Sequence, residues 1–241
     1  MILLSYTPTL LMLALVCVLV KRRAYRQFPC FFAYAVFAVM ADLARFSVQS
    51  NPGIYFYAYW ATEAGYDLLG IVLMYEVFQK VFGGLIRVWW ARLVFPSIVI
   101  ASVVLSMTRD HATSQQVGGP LMLGIVMGEI AVRFVEVLVF ISMVSMVRLL
   151  GLRWRQYAFG IATGFGFYAT VALLTTTKFS DFGTDFNFLW GASLVVSYSM
   201  AVVIWIWFFG VAEKTRSMGP AAPSPSPEEL ERYKEALRRL H

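Results

Sequence analysis

What most constrains this chain is a succession of seven long apolar segments divided by short polar stretches. They run from Ile2 to Val20, Phe28 to Ser47, Ile54 to Phe78, Trp89 to Met107, Pro120 to Val147, Gln156 to Thr176 and Phe186 to Phe209. Each is close to or above the ~20 residues that an α-helix needs to cross a ~30 Å hydrocarbon layer. No water reaches that layer to satisfy backbone N–H and C=O groups, so a crossing segment must be helical or part of a closed barrel. The apolar character is continuous rather than alternating, which selects helices. The expected fold class is all-α, a polytopic membrane bundle of seven transmembrane helices over residues 1–212. Composition agrees, because 59% hydrophobic and 14% charged residues leave no room for a sizeable soluble core.

A net charge of +6 would by itself fit a nucleic-acid partner, but the basic residues sit in short loops beside apolar runs. That placement is a topology signal, and no nucleic-acid partner is expected. Lys21, Arg22, Arg23 and Arg26 follow the first segment directly, so it is expected to insert with its N-terminus outside and to stay uncleaved. Lys80, Arg87 and Arg92 follow the third segment, Arg148, Arg153 and Arg155 the fifth, Lys214 and Arg216 the seventh. With the tail, 16 of the 20 Lys and Arg residues fall on this inner side; the opposite loops hold Arg109 and Lys178, and Arg45 and Arg133 lie within segments. The prediction is N-terminus out, C-terminus in, in a multi-pass protein of a bacterial inner membrane. Cys17 and Cys30 lie in the inner halves of their helices and read as small apolar residues rather than a disulfide.

Charged groups inside the segments carry the functional argument. Each costs roughly 2.5–3.5 kcal/mol near the bilayer centre on insertion scales, so it should be paired or face a wet cavity. Glu129, Arg133 and Glu136 are spaced by four and three residues and share one helical stripe. Glu63 and Asp67 share a face with Tyr59, Gly70 and Met74, whereas Glu76 points elsewhere and is expected at the inner interface. Asp42 and Arg45 lie in the outer half of the second segment. Matching depths predicts Arg133 paired with Asp67, and Arg45 with Asp42 or Glu63.

Five acids against two arginines would leave three uncompensated negative charges if all were ionised. Protonation of some acids, or a bound cation, is the expected resolution, and Glu129 and Glu136 are the expected coupled pair around one arginine. Asp42, Arg45, Glu63, Asp67, Glu129, Arg133 and Glu136 are therefore the candidate ligand- or proton-binding residues. The same groups have a purely architectural reading, in which they fix which helices meet. Tyr34, Tyr59, Tyr168, Tyr198, Ser193 and Ser197 either complete a polar pocket or pack as ordinary membrane-helix residues. Gly124 and Gly128, and Gly160 and Gly164, are spaced for close helix contact within one molecule. Trp89, Trp90, Trp205 and Trp207 are expected at the inner interface.

Enzyme signatures are missing. The two histidines, His111 and His241, lie in an outer loop and at the terminus, so no histidine-based metal centre is expected inside the membrane. No serine has a histidine base nearby, and the seventh segment carries no lysine for a Schiff base. The chain is read as a non-enzyme with no cofactor. Residues 213–227 form a cytoplasmic linker rich in Gly, Ala, Pro and Ser. In residues 228–241, Leu230, Tyr233, Leu237 and Leu240 line up as the seam of a short amphipathic helix, started by Ser226, Pro227 and Glu229. Its acidic and basic residues cancel, so it is expected to dock on the protein's own cytoplasmic face or on a partner protein rather than on anionic lipid.

Two functional classes follow, with a third behind them. One is a ligand- or pH-responsive sensor or interaction module. The other is a small proton- or cation-coupled secondary transporter, although the two halves of the chain lack matching charge patterns. An accessory subunit of a membrane complex is the third. With its acids in "YWATEAGYDLLGIVLMYEVF", its helix count and its loop basicity, the chain from Ile2 to Phe209 resembles the seven-helix membrane regions of bacterial sensors and a group of uncharacterised bacterial seven-helix proteins. The resemblance is one of layout and implies a seven-helix membrane bundle. The DRY and NPxxY motifs of eukaryotic seven-helix receptors are missing, so it carries over no functional residues and no G-protein coupling.

Overall fold

A computed structural model describes residues 2–82, 89–108, 120–150, 156–182 and 187–211. The expected linker and tail helix, at 213–227 and 228–241, lie outside the described residues, as do the loop residues Arg87, Arg109 and His111. The described residues form seven α-helices and no strand: α1 Ile2–Lys21, α2 Pro29–Val48, α3 Pro52–Phe82, α4 Trp89–Thr108, α5 Pro120–Leu150, α6 Gln156–Phe182 and α7 Asn187–Gly210. Three of them are long and apolar enough to cross a membrane, in the stretches Pro29–Val48, Tyr157–Thr175 and Gly191–Gly210.

Local chemistry explains the boundaries. α1 runs into the basic cluster after Val20, where Arg23 takes a left-handed conformation at φ 53° and the chain makes a short 3-10 turn, Ala24–Arg26. Pro29 then occupies the first turn of α2, where its missing N–H costs nothing and its fixed φ favours the helix. Pro52 and Pro120 open α3 and α5 in the same way. Asn51 caps α3 by accepting a hydrogen bond from the Ile54 N–H at 3.3 Å.

The helices pack as a ring in the order α1, α2, α3, α5, α6, α7 and back to α1, with α4 lying outside it against α5. The ends of α1 and α7 meet where Arg22 donates to the Gly210 carbonyl at 2.5 Å, supplying a partner to a helix C-terminus. At this end of the ring an aromatic layer fills the interior. Phe31 stacks on Phe209 at 5.3 Å and meets Trp205 edge-on at 5.4 Å, while Tyr157 stacks on Phe209 at 4.8 Å.

Two sequence expectations change here. Trp205 is 1% exposed and donates from its indole N–H to the Ile161 carbonyl at 3.2 Å, so it is a core residue and not an interfacial one; Trp207, at 69% exposure, faces outward. The indole fits because α6 has no side chain at Gly164, where a Cβ would overlap it, and Phe208 fills the space beside Gly160 likewise. Glu76 is 8% exposed and reaches the start of α2, where its carboxyl oxygens accept from the Cys30 N–H at 3.3 Å and the Phe31 N–H at 3.1 Å. Phe28, at the N-cap position, has no side-chain oxygen to offer, so α3 supplies the cap that α2 lacks.

Candidate polar chamber within the helix ring

Inside the ring, on the far side of the aromatic layer from the Arg22–Gly210 contact, lies a cavity of about 220 Å³. All six ring helices line it. Pro8 and Thr9 come from α1, Tyr34, Asp42 and Arg45 from α2, and Glu63 and Tyr66 from α3. Arg133, Tyr168 and Tyr198 enter from α5, α6 and α7. Helical spacing orders the two zones, because Phe31 precedes Tyr34 by one turn and Tyr198 precedes Trp205 by two. The chamber thus ends on packed rings.

The first arginine is fully engaged by α3. Arg45 forms an ion pair with Glu63 at 2.8 Å, its Nε donates to the Thr62 hydroxyl at 2.7 Å, and a second donor, Nη2, also reaches that hydroxyl. Thr62 in turn donates to carbonyls of its own helix, at Ala58 and Tyr59. The guanidinium lies 4.7 Å from the centre of the Tyr59 ring, a cation–π contact. Of the two partners expected from depth, Glu63 is the one that meets Arg45. Asp42 instead accepts from the Thr9 hydroxyl at 2.6 Å, joining α2 to α1.

The second arginine departs from expectation. Arg133 finds its carboxylates on its own helix, donating from Nη1 to Glu136 Oε2 at 3.2 Å and lying 3.7 Å from Glu129 through Nη2. The predicted Arg133–Asp67 pair is not formed. Asp67 turns to Gly128 instead, where a Cβ would come within 3.2 Å of its Oδ2, so the missing side chain on α5 makes room for the carboxyl group. Depth ranks residues along the bilayer normal but does not say which way they point around the bundle, and Arg133 already has acids within one turn on either side. Glu136 is 1% exposed, whereas the Glu129 side chain keeps 41% of its surface.

Arg133 also has unused donors. Its Nε–H is buried without a hydrogen-bond partner, and 3.7 Å from Nη2 to Glu129 is too long for a hydrogen bond. An unsatisfied buried donor costs about 1–3 kcal/mol. The guanidinium rests over the Tyr168 ring at 4.6 Å, and its side chain retains 13% of its surface.

Of the expected site residues, Asp42, Arg45, Glu63 and Arg133 meet in this chamber, Glu136 and Glu129 stand behind Arg133, and Asp67 lies outside the lining against Gly128. Three expected tyrosines, Tyr34, Tyr168 and Tyr198, line it, while Tyr59 stacks under Arg45. Ser197 donates to the Leu194 carbonyl of its own helix at 3.0 Å. Tyr66 and Thr9 are additional. Tyr66 is three residues from Glu63 and so was within reach of the same helical-face argument; Thr9 offered only a hydroxyl in an otherwise apolar helix. Among the described residues, no group of three or more His, Cys, Asp or Glu side chains is placed to hold a metal ion. In comparison with known proteins, no family model, curated protein or solved structure matches this chain.

Proposed function

We propose that the chain is a multi-pass membrane protein with seven spans, its N-terminus outside and its C-terminus in the cytoplasm, and that it acts as a ligand-responsive sensor or interaction module. An outward apolar surface supports the membrane placement, with Leu10, Leu13, Leu43, Ile100 and Trp207 among the large exposed side chains. The meeting of the α1 and α7 C-terminal ends fits an odd number of crossings. The basic loops fit the orientation.

The observation that carries the sensing role is a small chamber to which six helices contribute and which ends on an aromatic layer, Phe31, Trp205 and Phe209, between it and the inner end. A ligand held there touches elements that all lead to the cytoplasmic face, yet meets packed rings in that direction. Its effect on the protein would be a shift in how those helices sit. A proton- or cation-coupled transporter is the second reading, favoured by the two arginine–carboxylate pairs within the helices.

The test is reconstitution in liposomes with an internal pH-sensitive dye and a fluorophore on a cysteine placed at His241. Ligand-dependent fluorescence change at the tail with no proton flux supports sensing. Ligand-dependent flux that Asp42→Asn abolishes overturns it in favour of transport.

A further inference from the structure

We infer that the chamber takes a small organic ammonium compound that also carries an oxygen acceptor, with its ammonium on Asp42 and its oxygen towards Arg133. This rests on the ligand-responsive reading above and specifies the chemistry of the ligand.

The charge pattern of the chamber is asymmetric. Arg45 is neutralised by Glu63, and Arg133 by Glu136 with Glu129 beyond it. Asp42 is the lining acid whose contact is a neutral hydroxyl, Thr9, rather than a cation. An ammonium group is the complement of that carboxylate, and it lowers the negative excess of the whole cluster, to which Asp67 also contributes. An anionic ligand would add to that excess, with Glu129 and Glu136 standing behind the only arginine not already filled.

The walls fit the same chemistry. Tyr34 and Tyr198 line the cavity, and a cation is attracted by aromatic rings placed beside it. The Tyr34 ring is held edge-on to Phe165 at 5.1 Å and the Tyr198 ring to Tyr168 at 5.4 Å, so both are fixed before any ligand arrives. The second polar demand comes from Arg133, whose Nε–H has no acceptor and whose Nη2 is under-used. A small turn of the guanidinium would offer both to one oxygen-bearing group. A hydroxyl, carbonyl or carboxylate on the ligand would answer it. The volume of about 220 Å³ limits the compound to metabolite size.

Amino alcohols, amino acids and the ethanolamine headgroup of a lipid share this chemistry. The experiment uses purified protein in nanodiscs of phosphatidylglycerol and measures binding by calorimetry. Tyramine, ethanolamine and L-phenylalanine are compared with 3-phenylpropionate, phenol and ethylene glycol, which lack the amine. The expected result is binding only in the first group, weakened about tenfold or more by Asp42→Asn, whose amide keeps an acceptor for Thr9 but loses the charge. Thr9→Val, which leaves the carboxylate in place, should weaken it less and serves if Asp42→Asn does not fold. Loss of binding on adding phosphatidylethanolamine to the discs would identify the lipid headgroup as the source of the ammonium, and unchanged binding a soluble amine. If only amine-free compounds bind, the ammonium assignment is overturned while the ligand-responsive reading stands. If protein of unchanged melting temperature binds neither group, both fall.

Discussion

Glu76 offers the most direct check on how this fold is held together. Its two carboxyl oxygens accept from the Cys30 and Phe31 amides at 3.3 and 3.1 Å, at the helix start where Phe28 has no capping atom. Glu76→Leu keeps the apolar bulk but leaves both amide donors without an acceptor in a site only 8% exposed. Each unsatisfied donor costs about 1–3 kcal/mol, and taking the longer bond at the low end gives a loss of about 2–4 kcal/mol. Glu76→Gln retains one acceptor oxygen and forfeits the charge that faces the positive end of α2, for a loss of about 1–2 kcal/mol. The assay is unfolding by SDS in mixed micelles, followed by tryptophan emission, with Tyr75→Leu as a control on the exposed side of the same turn. The expected order of stability is wild type, Gln, then Leu. Should the Leu variant match wild type, the cap is not what Glu76 supplies, because filling the volume alone would then suffice.

Three further outcomes follow from packing and charge. Gly164→Ala puts a Cβ into the Trp205 indole and should cost about 1–3 kcal/mol in the same titration, part of it recovered by Trp205→Leu in the double variant; no loss would mean that α6 and α7 are not in close contact. Glu63→Gln breaks the Arg45 ion pair, whose side chains keep 19% and 15% of their surface, and should destabilise by about 1–2 kcal/mol, with a double-mutant cycle against Arg45→Met showing positive coupling; zero coupling would refute the pair. In variants that retain a single tryptophan, brominated acyl chains should quench Trp207, which is 69% exposed, and spare Trp205, which is 1% exposed; equal quenching of the two would contradict their opposite orientation.

Helix positions were legible in the sequence because each apolar run is long, continuous and ended by strong local signals. Pro29, Pro52 and Pro120 start helices, and the basic cluster after Val20 stops one. α6 runs on to Phe182, six residues past the expected Thr176, because hydropathy falls off there before the helix ends. Partner choice was harder to read. The 3.6-residue period tells which residues of α5 share a face, and so it grouped Glu129, Arg133 and Glu136 correctly, but it carries no information on which neighbour that face meets. Depth matching was right for Arg45 and Glu63, on two helices joined by a tight turn, and wrong for Arg133 and Asp67, on helices distant in sequence. Trp205 was misplaced for a related reason: tryptophan near a helix end signals an interface only when no gap opposite can receive it, and Gly164 provides that gap.

The distribution of polar contacts around the ring bears on how a ligand could act. Thr9 and Asp42 join α1 to α2, and Arg45 with Thr62 and Glu63 joins α2 to α3. Across the chamber Arg133 is neutralised within α5 and touches α6 through the Tyr168 ring. Between α3 and α5 the contact is one of close approach, with Asp67 against Gly128 and Val132 against Gly70. A compound bound to both Asp42 and Arg133 would therefore add a polar link from α2 to α5, across the chamber rather than along the ring. Such a link exists only in the bound state, which is the condition for a ligand to favour one helix arrangement over another. An amine that reaches Asp42 but carries no oxygen for Arg133 would bind without making it. On this argument ethylamine should occupy the chamber and leave the tail fluorophore unchanged, whereas ethanolamine should occupy it and shift the signal; an equal shift from both would show that the α2 to α5 bridge is not the switch.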